Sequence, residues 1–70
     1  MSWNYRIMKL TTKKYTHYGL FEVYYEKGEP VSWTEKPECG WFDSRKELIS
    51  TLEMMVKDAK NNKKILTYED

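Results

Sequence analysis

The chain has one cysteine, Cys39, and one histidine, His17. A single thiol rules out an internal disulfide framework. One Cys with one His cannot supply the four ligands of a structural zinc site built from those residue types. The three glycines are isolated, so there is no glycine-rich phosphate loop. No apolar run approaches the roughly 20 residues of a membrane-spanning helix, and no membrane association is expected. The first ten residues, MSWNYRIMKL, lack the uninterrupted apolar stretch of a secretion signal. With the lone thiol, this points to a reducing, cytoplasmic setting. Net charge is only +1, which argues against a generic polyanion binder. Acids are plentiful, but no spacing singles out a catalytic pair, and His17 and Cys39 read as unrelated. The expectation is a protein without enzymatic activity, cofactor or metal.

What the chain has in quantity is rings. Eleven of 70 residues are aromatic, and each buried ring removes roughly 150–250 Å² from water. Disordered chains are poor in such residues, so a folded domain is expected despite a mean hydropathy of −0.86. Seventy residues make a single domain, 1–70. A chain this short buries only about 60 % of its unfolded surface. Charge is unevenly placed. Residues 1–21 hold Arg6, Lys9, Lys13 and Lys14 and no acid, whereas 22–53 hold eight acids against four bases. A basic and an acidic side would orient a partner.

Residues 3–11 read as a strand with Trp3, Tyr5 and Ile7 on one face. Met8 and Leu10 fall on the other parity, so either both faces are covered or a bulge lies near Ile7 and Met8. Thr12-Lys13-Lys14 is a polar turn. Residues 15–25, YTHYGLFEVYY, are rich in β-branched and aromatic residues and read as a central strand. Gly19 within it marks a bulge or a close approach of another group. Next comes a turn at 26–30. A two-residue loop at Lys27-Gly28 would pair Glu22 with Trp33. A three-residue loop with Gly28 left-handed pairs Val23 with Val31 and Phe21 with Trp33, and keeps four apolar residues on one face. The three-residue loop is therefore expected, with a third strand over 31–36 ended by Pro37.

Ser44-Arg45-Lys46-Glu47 fits a capping box, with Ser44 as N-cap. Leu48, Ile49, Leu52, Met55, Val56 and Ala59 then form one helical stripe, with Met54 pointing away. A helix over about 44–61 follows, with lysines toward its end and a stop at Asn61-Asn62. Residues 64–68 leave room for a short fourth strand, and the last two acids are expected to fray. The fold class is α+β: a three-stranded antiparallel meander with one C-terminal amphipathic helix on one face. The stripe should cover Phe21, Val23, Val31 and Trp33, together with Trp3, Tyr5 and Ile7. Tyr18, Leu20 and Tyr24 would then lie on the uncovered face, with Trp41 and Phe42 at its edge.

Exposed Tyr and Trp are typical of interface hot spots. The expected protein-contact residues are Tyr18, Tyr24, Trp41 and Phe42, with Glu22 and Glu35 at the rim. They would serve a small protein-binding module, such as a phage or mobile-element protein that blocks or regulates a larger host factor. Homodimerisation through the same surface is a variant. An alternative is a single-stranded nucleic-acid binder using Lys9, Lys13, Lys14, Tyr15 and Tyr18, since lysines beside stacking rings grip single strands.

Three stretches carry a resemblance: Asn4-Tyr5-Arg6-Ile7, Tyr18 to Tyr25 (YGLFEVYY), and Gly28 to Pro37 (GEPVSWTEKP). In these the chain resembles a group of small uncharacterised bacterial and phage proteins of β-β-β-α plan. The resemblance implies no activity. More loosely, Pro37-Glu38-Cys39-Gly40 followed by the capped helix is similar to HicB-like antitoxins. That resemblance implies a neutralised protein partner, although the usual Pro-Gly-Cys order and an appended DNA-binding segment are absent.

Overall fold

A computed structural model describes residues 2–68. The order is β1 (Ser2–Thr11), β2 (Thr16–Glu26), β3 (Glu29–Trp33) and α1 (Arg45–Asn61). The three strands form one antiparallel sheet in the order β1-β2-β3. The fold class is therefore α+β, with an open meander and one C-terminal helix. None of the described helices is long and apolar enough to cross a membrane.

β1 and β2 pair without interruption from Ser2↔Tyr25 to Thr11↔Thr16, so no bulge sits at Ile7 and Met8. Ile7 and Met8 are both half-buried, which explains why apolar residues occupy both parities. The connection closes with Thr12 N–H donating to the Tyr15 carbonyl (2.8 Å), while Thr12 Oγ1 accepts from the N–H groups of Lys14 and Tyr15. This even-numbered turn fixes the parity of the hairpin. Trp3, Tyr5, Ile7 and Lys9 lie opposite Tyr24, Glu22, Leu20 and Tyr18. Asn4, Arg6, Met8 and Leu10 lie opposite Val23, Phe21, Gly19 and His17. Trp3, Tyr5 and Ile7 therefore do not share a face with Phe21 and Val23, contrary to the expectation from sequence.

The second hairpin also departs from expectation. Lys27 (φ 53°) and Gly28 (φ 81°) are both left-handed, as a two-residue type I′ turn requires. Glu26 pairs with Glu29 and Tyr25 with Pro30; the register then shifts, so that Tyr24 pairs with Ser32 and Val23 with Trp33. The three-residue loop is not formed. A bulge that takes in Val31 restores Trp33 to the face of Val23 and Phe21. The demand for an apolar face is met by a kink within β3 rather than by a longer turn. β3 ends at Trp33, well before Pro37.

Beyond Trp33 the chain still follows β2. Thr34 N–H donates to the Glu22 carbonyl (3.1 Å), and Glu22 N–H donates to Thr34 Oγ1 (3.3 Å). Glu38 N–H donates to the Leu20 carbonyl (2.8 Å), and Tyr18 and Phe42 exchange two bonds of 2.8 Å. An irregular segment thus follows the β2 edge as far as Tyr18, bonding Glu22, the Leu20 carbonyl and Tyr18.

Ser44 caps α1, its Oγ accepting from Glu47 N–H at 3.1 Å, an interaction that contributes about 1 kcal/mol. At the other end Asn62 donates both its backbone N–H and its Nδ2 to the Asp58 carbonyl. The helix packs against β2. On the Phe21 face, the sheet from Val23 to Leu10 borders grooves that include no helix residue. With Phe42, two residues before the helix, bridged to Tyr18, this argues for packing on the other side, at the Tyr18 and Leu20 end of the sheet. Leu48 is 0 % exposed, and Ile49 and Leu52 are half-buried, but Val56 is 53 % exposed. Only the first half of the stripe meets the sheet. The radius of gyration is 15.3 Å, against ~11 Å for a compact chain of this length, in keeping with the exposed second half of the helix and the exposed residues after it. Residues 64–68 form no strand and are exposed, so the fourth strand is not made. The expected fraying of the last two acids lies outside the described residues.

Candidate protein-contact surface

The face of Phe21 and Val23 is built by β-strand alternation. β1 contributes Asn4, Arg6, Met8 and Leu10, β2 contributes His17, Gly19, Phe21, Val23 and Tyr25, and β3 contributes Trp33. Its cover comes from the loop before the helix. A Cβ on Gly19 would lie 2.8 Å from Pro37 Cβ and 3.3 Å from Trp41 Cε3, so the loop reaches the sheet only because residue 19 has no side chain. Trp41 packs on Phe21, with ring centroids 5.6 Å apart and planes at 59°, and lies 6.4 Å from His17. His17 in turn packs against Tyr15, with ring centroids 4.3 Å apart and planes tilted at 57°. Its Nδ1 is 3.7 Å from Asp43 Oδ1, an ion pair only when the imidazole is protonated.

This cover is partial. Phe21 and Val23 are buried, at 5 % and 4 % exposure, but Trp33 remains 53 % and Trp41 45 % exposed. Between the two tryptophans runs an open groove of about 300 Å³, lined by Met8, Leu10, Phe21, Trp33 and Trp41, with Lys9 and Glu35 at its sides. A second groove continues from Met8 and Trp33 to Val23, Pro30 and Arg6. At that end Arg6 Nη1 donates to Tyr25 Oη (2.9 Å), which donates to Asn4 Oδ1 (2.9 Å). The floor is apolar and the rim carries both signs of charge.

The residues anticipated for protein contact are divided between two faces. Trp41 and Glu35 belong to this groove. Tyr18, Glu22 and Tyr24 are on the helix face, and Phe42 joins them through its bridge to Tyr18. Met8, Leu10 and Trp33 were not anticipated in this role. The apolar parity change at Met8 and Leu10 was the signal for the first two. The nucleic-acid candidates are divided as well. Lys9 and Tyr18 are cross-strand neighbours on the helix face, Lys13 and Lys14 form the turn, and Tyr15 packs against His17 toward the other face.

On the helix face Tyr24 Oη donates to Glu22 Oε1 at 2.8 Å. That hydrogen bond, with the negative charges of Glu22 and Glu38 nearby, raises the Tyr24 pKa above the ordinary 10.0. The neutral phenol is thus favoured in the folded chain. Its contribution to stability is present below the unfolded value and is lost as pH rises through the higher folded value. Glu22→Gln should lower the Tyr24 midpoint, read as the ¹³Cζ titration of the labelled tyrosines. An unchanged midpoint would show that Glu22 does not hold the proton.

Among the described residues no three His, Cys, Asp or Glu side chains gather to hold a metal ion. Cys39 is free and half-buried. Fold and surface together define a small open-faced α+β domain whose sheet carries an aromatic groove. Comparison with known proteins finds no matching family model, curated protein or solved structure.

Proposed function

We propose that the chain is a non-enzymatic protein-binding module whose contact surface is the open Phe21 face of the sheet. The observation that carries this reading is the pair of half-exposed tryptophans, Trp33 and Trp41, flanking one apolar groove that the chain itself leaves uncovered. Contiguous exposed apolar surface on a small protein marks association sites, and tryptophan leads among the residues that carry binding energy. Charge supports an oriented approach. The β1 side carries Arg6, Lys9, Lys13 and Lys14 and no acid, whereas the β3 side carries Glu26, Glu29, Glu35 and Glu38 against Lys27 and Lys36. Docking here would act sterically, blocking or regulating a larger protein.

The test is affinity capture from a host lysate with the wild type, Trp33→Ala and Met54→Glu. Met54 is exposed on the helix. The expected result is a partner held by the wild type and by Met54→Glu, with Trp33→Ala weakened roughly 30-fold or more, the loss of a tryptophan hot spot. Retention indifferent to Trp33→Ala and Trp41→Ala would contradict the assignment. An oligonucleotide bound at low salt and released steeply as salt rises would favour the nucleic-acid reading instead.

A further inference from the structure

The two edges of the sheet are treated differently. The β3 side is short, bulged and carries Pro30, and the rest of that side of β2 is bonded to Thr34, Glu38 and Phe42. These are the devices that blunt an edge against pairing. β1 has no proline, bulge or covering segment, and its only edge charges are Arg6, which is turned back to Tyr25, and Lys9. It runs ten residues, Ser2–Thr11, without an acidic residue, and is the outermost strand.

The hydrogen-bond phase of that edge follows from the bonds around it. Tyr18, Leu20 and Glu22 direct their backbone groups toward the 34–42 segment, so it is the odd residues of β2 that bond β1. The register then makes the even residues of β1 their partners, in phase with the Thr12–Tyr15 bond. The odd residues Trp3, Tyr5, Ile7, Lys9 and Thr11 therefore present their N–H and C=O groups outward.

We propose that β1 pairs antiparallel with β1 of a second copy of this chain, about a twofold axis at Ile7, to give a six-stranded sheet. A twofold axis normal to the sheet sets one residue opposite its own copy, so only a few registers exist. Centring on Arg6 or Ile7 gives the longest overlaps. The Arg6 register sets two guanidinium-bearing residues face to face. The Ile7 register opposes Ile7 to Ile7, Tyr5 to Lys9, Trp3 to Thr11 and Arg6 to Met8, with no like charges opposed. All five outward residues are then in hydrogen-bonding phase, which makes roughly ten interchain bonds. Lys9 comes beside the Tyr5 ring of the second copy, a favourable cation–aromatic contact. Arg6 is already turned back to Tyr25. Both helices fall on one side, and the two tryptophan grooves share the other.

Sedimentation equilibrium on the full chain tests this. The expected mass is twice the 8.5 kDa of one chain. Tyr5→Glu, which opposes a carboxylate to Lys9 twice, should tighten the dimer, and Tyr5→Lys should loosen it, each by roughly 2- to 30-fold. In a Cys39→Ser background, Ile7→Cys should give a disulfide-linked dimer under mild oxidation, because a hydrogen-bonded pair stands at about 5.5 Å, whereas Tyr5→Cys should not. Tyr5 is exposed, so its variants report association without undoing the core. Trp33→Ala should leave the dimer intact, which separates loss of a partner from loss of self-pairing. A monomer at all concentrations, an open-ended series of oligomers from β1 meeting β3, or a dimer indifferent to both Tyr5 variants would overturn the proposal.

Discussion

Leu48→Ala should cost about 2–5 kcal/mol, the range for truncating a fully buried leucine. The whole chain is expected to hold only about 3–10 kcal/mol, at 0.05–0.15 kcal/mol per residue, so this one change should remove a large share of its stability. Leu48 is the single large side chain of the described residues that is completely enclosed. It sits one turn past the Ser44 cap, where the helix first meets the sheet. Few other contacts hold α1, since Met55 and Val56 are about half-exposed, and an isolated helix of this length is marginal in water. Urea unfolding followed by far-ultraviolet circular dichroism should show the midpoint falling sharply and helical signal lost with it. Val56→Ala, on the same stripe, should change little. A cost below about 1 kcal/mol for Leu48→Ala, well under the usual range for a buried leucine, would mean that the helix is held elsewhere.

Gly19→Ala should destabilise the chain by about 1–3 kcal/mol, as overpacking does. Alanine is ordinarily favoured over glycine in a strand by roughly 0.5–1 kcal/mol, so the sign is informative. The new methyl would meet Pro37 Cβ at 2.8 Å and Phe21 Cε1 at 3.0 Å. Proline is a rigid ring and cannot swing aside. The loop from Pro37 to Trp41 would have to lift, uncovering Phe21. Thermal melts should show the loss of stability, and tryptophan emission should shift red as Trp41 leaves Phe21. A neutral or stabilising Gly19→Ala would show that the loop does not rest on the sheet at this point.

Structure that depends on local chemistry is legible in this sequence, and structure that depends on turn parity is not. The capping box at Ser44 and the stripe beginning at Leu48 specify the helix by chemistry that lies within one turn of chain. The strand order follows from the turn residues at 12–15 and 27–28. Face assignment needs the register of both hairpins, and each hinges on a single residue. The even turn at Thr12–Tyr15 set Trp3, Tyr5 and Ile7 apart from Phe21, and the bulge in β3 brought Trp33 back to it. Nothing local in the sequence distinguishes a two-residue turn plus bulge from a three-residue loop, because both put Val23 and Trp33 on one side. As a result Trp33 stands on the open Phe21 face beside Trp41, while Tyr18, Glu22 and Tyr24 stand on the opposite one with the half-exposed Trp3 and Tyr5. Gly19 was legible as a close approach, but its partner Pro37 lies across the sheet, beyond the reach of pattern. The segment 64–68 has strand composition, yet it pairs with no strand and stays exposed; composition alone does not supply a partner edge.

Hydroxyl-radical footprinting, applied to the chain alone and in complex with a protein recovered in the affinity test, reads the proposed contact face directly. In the free chain Trp33 and Trp41 should oxidise readily while Leu48 stays protected, and in the complex both tryptophans should become shielded while Met54 does not. Tryptophans already shielded in the free chain, or left fully reactive in the complex while Tyr18 and Tyr24 lose reactivity, would contradict it.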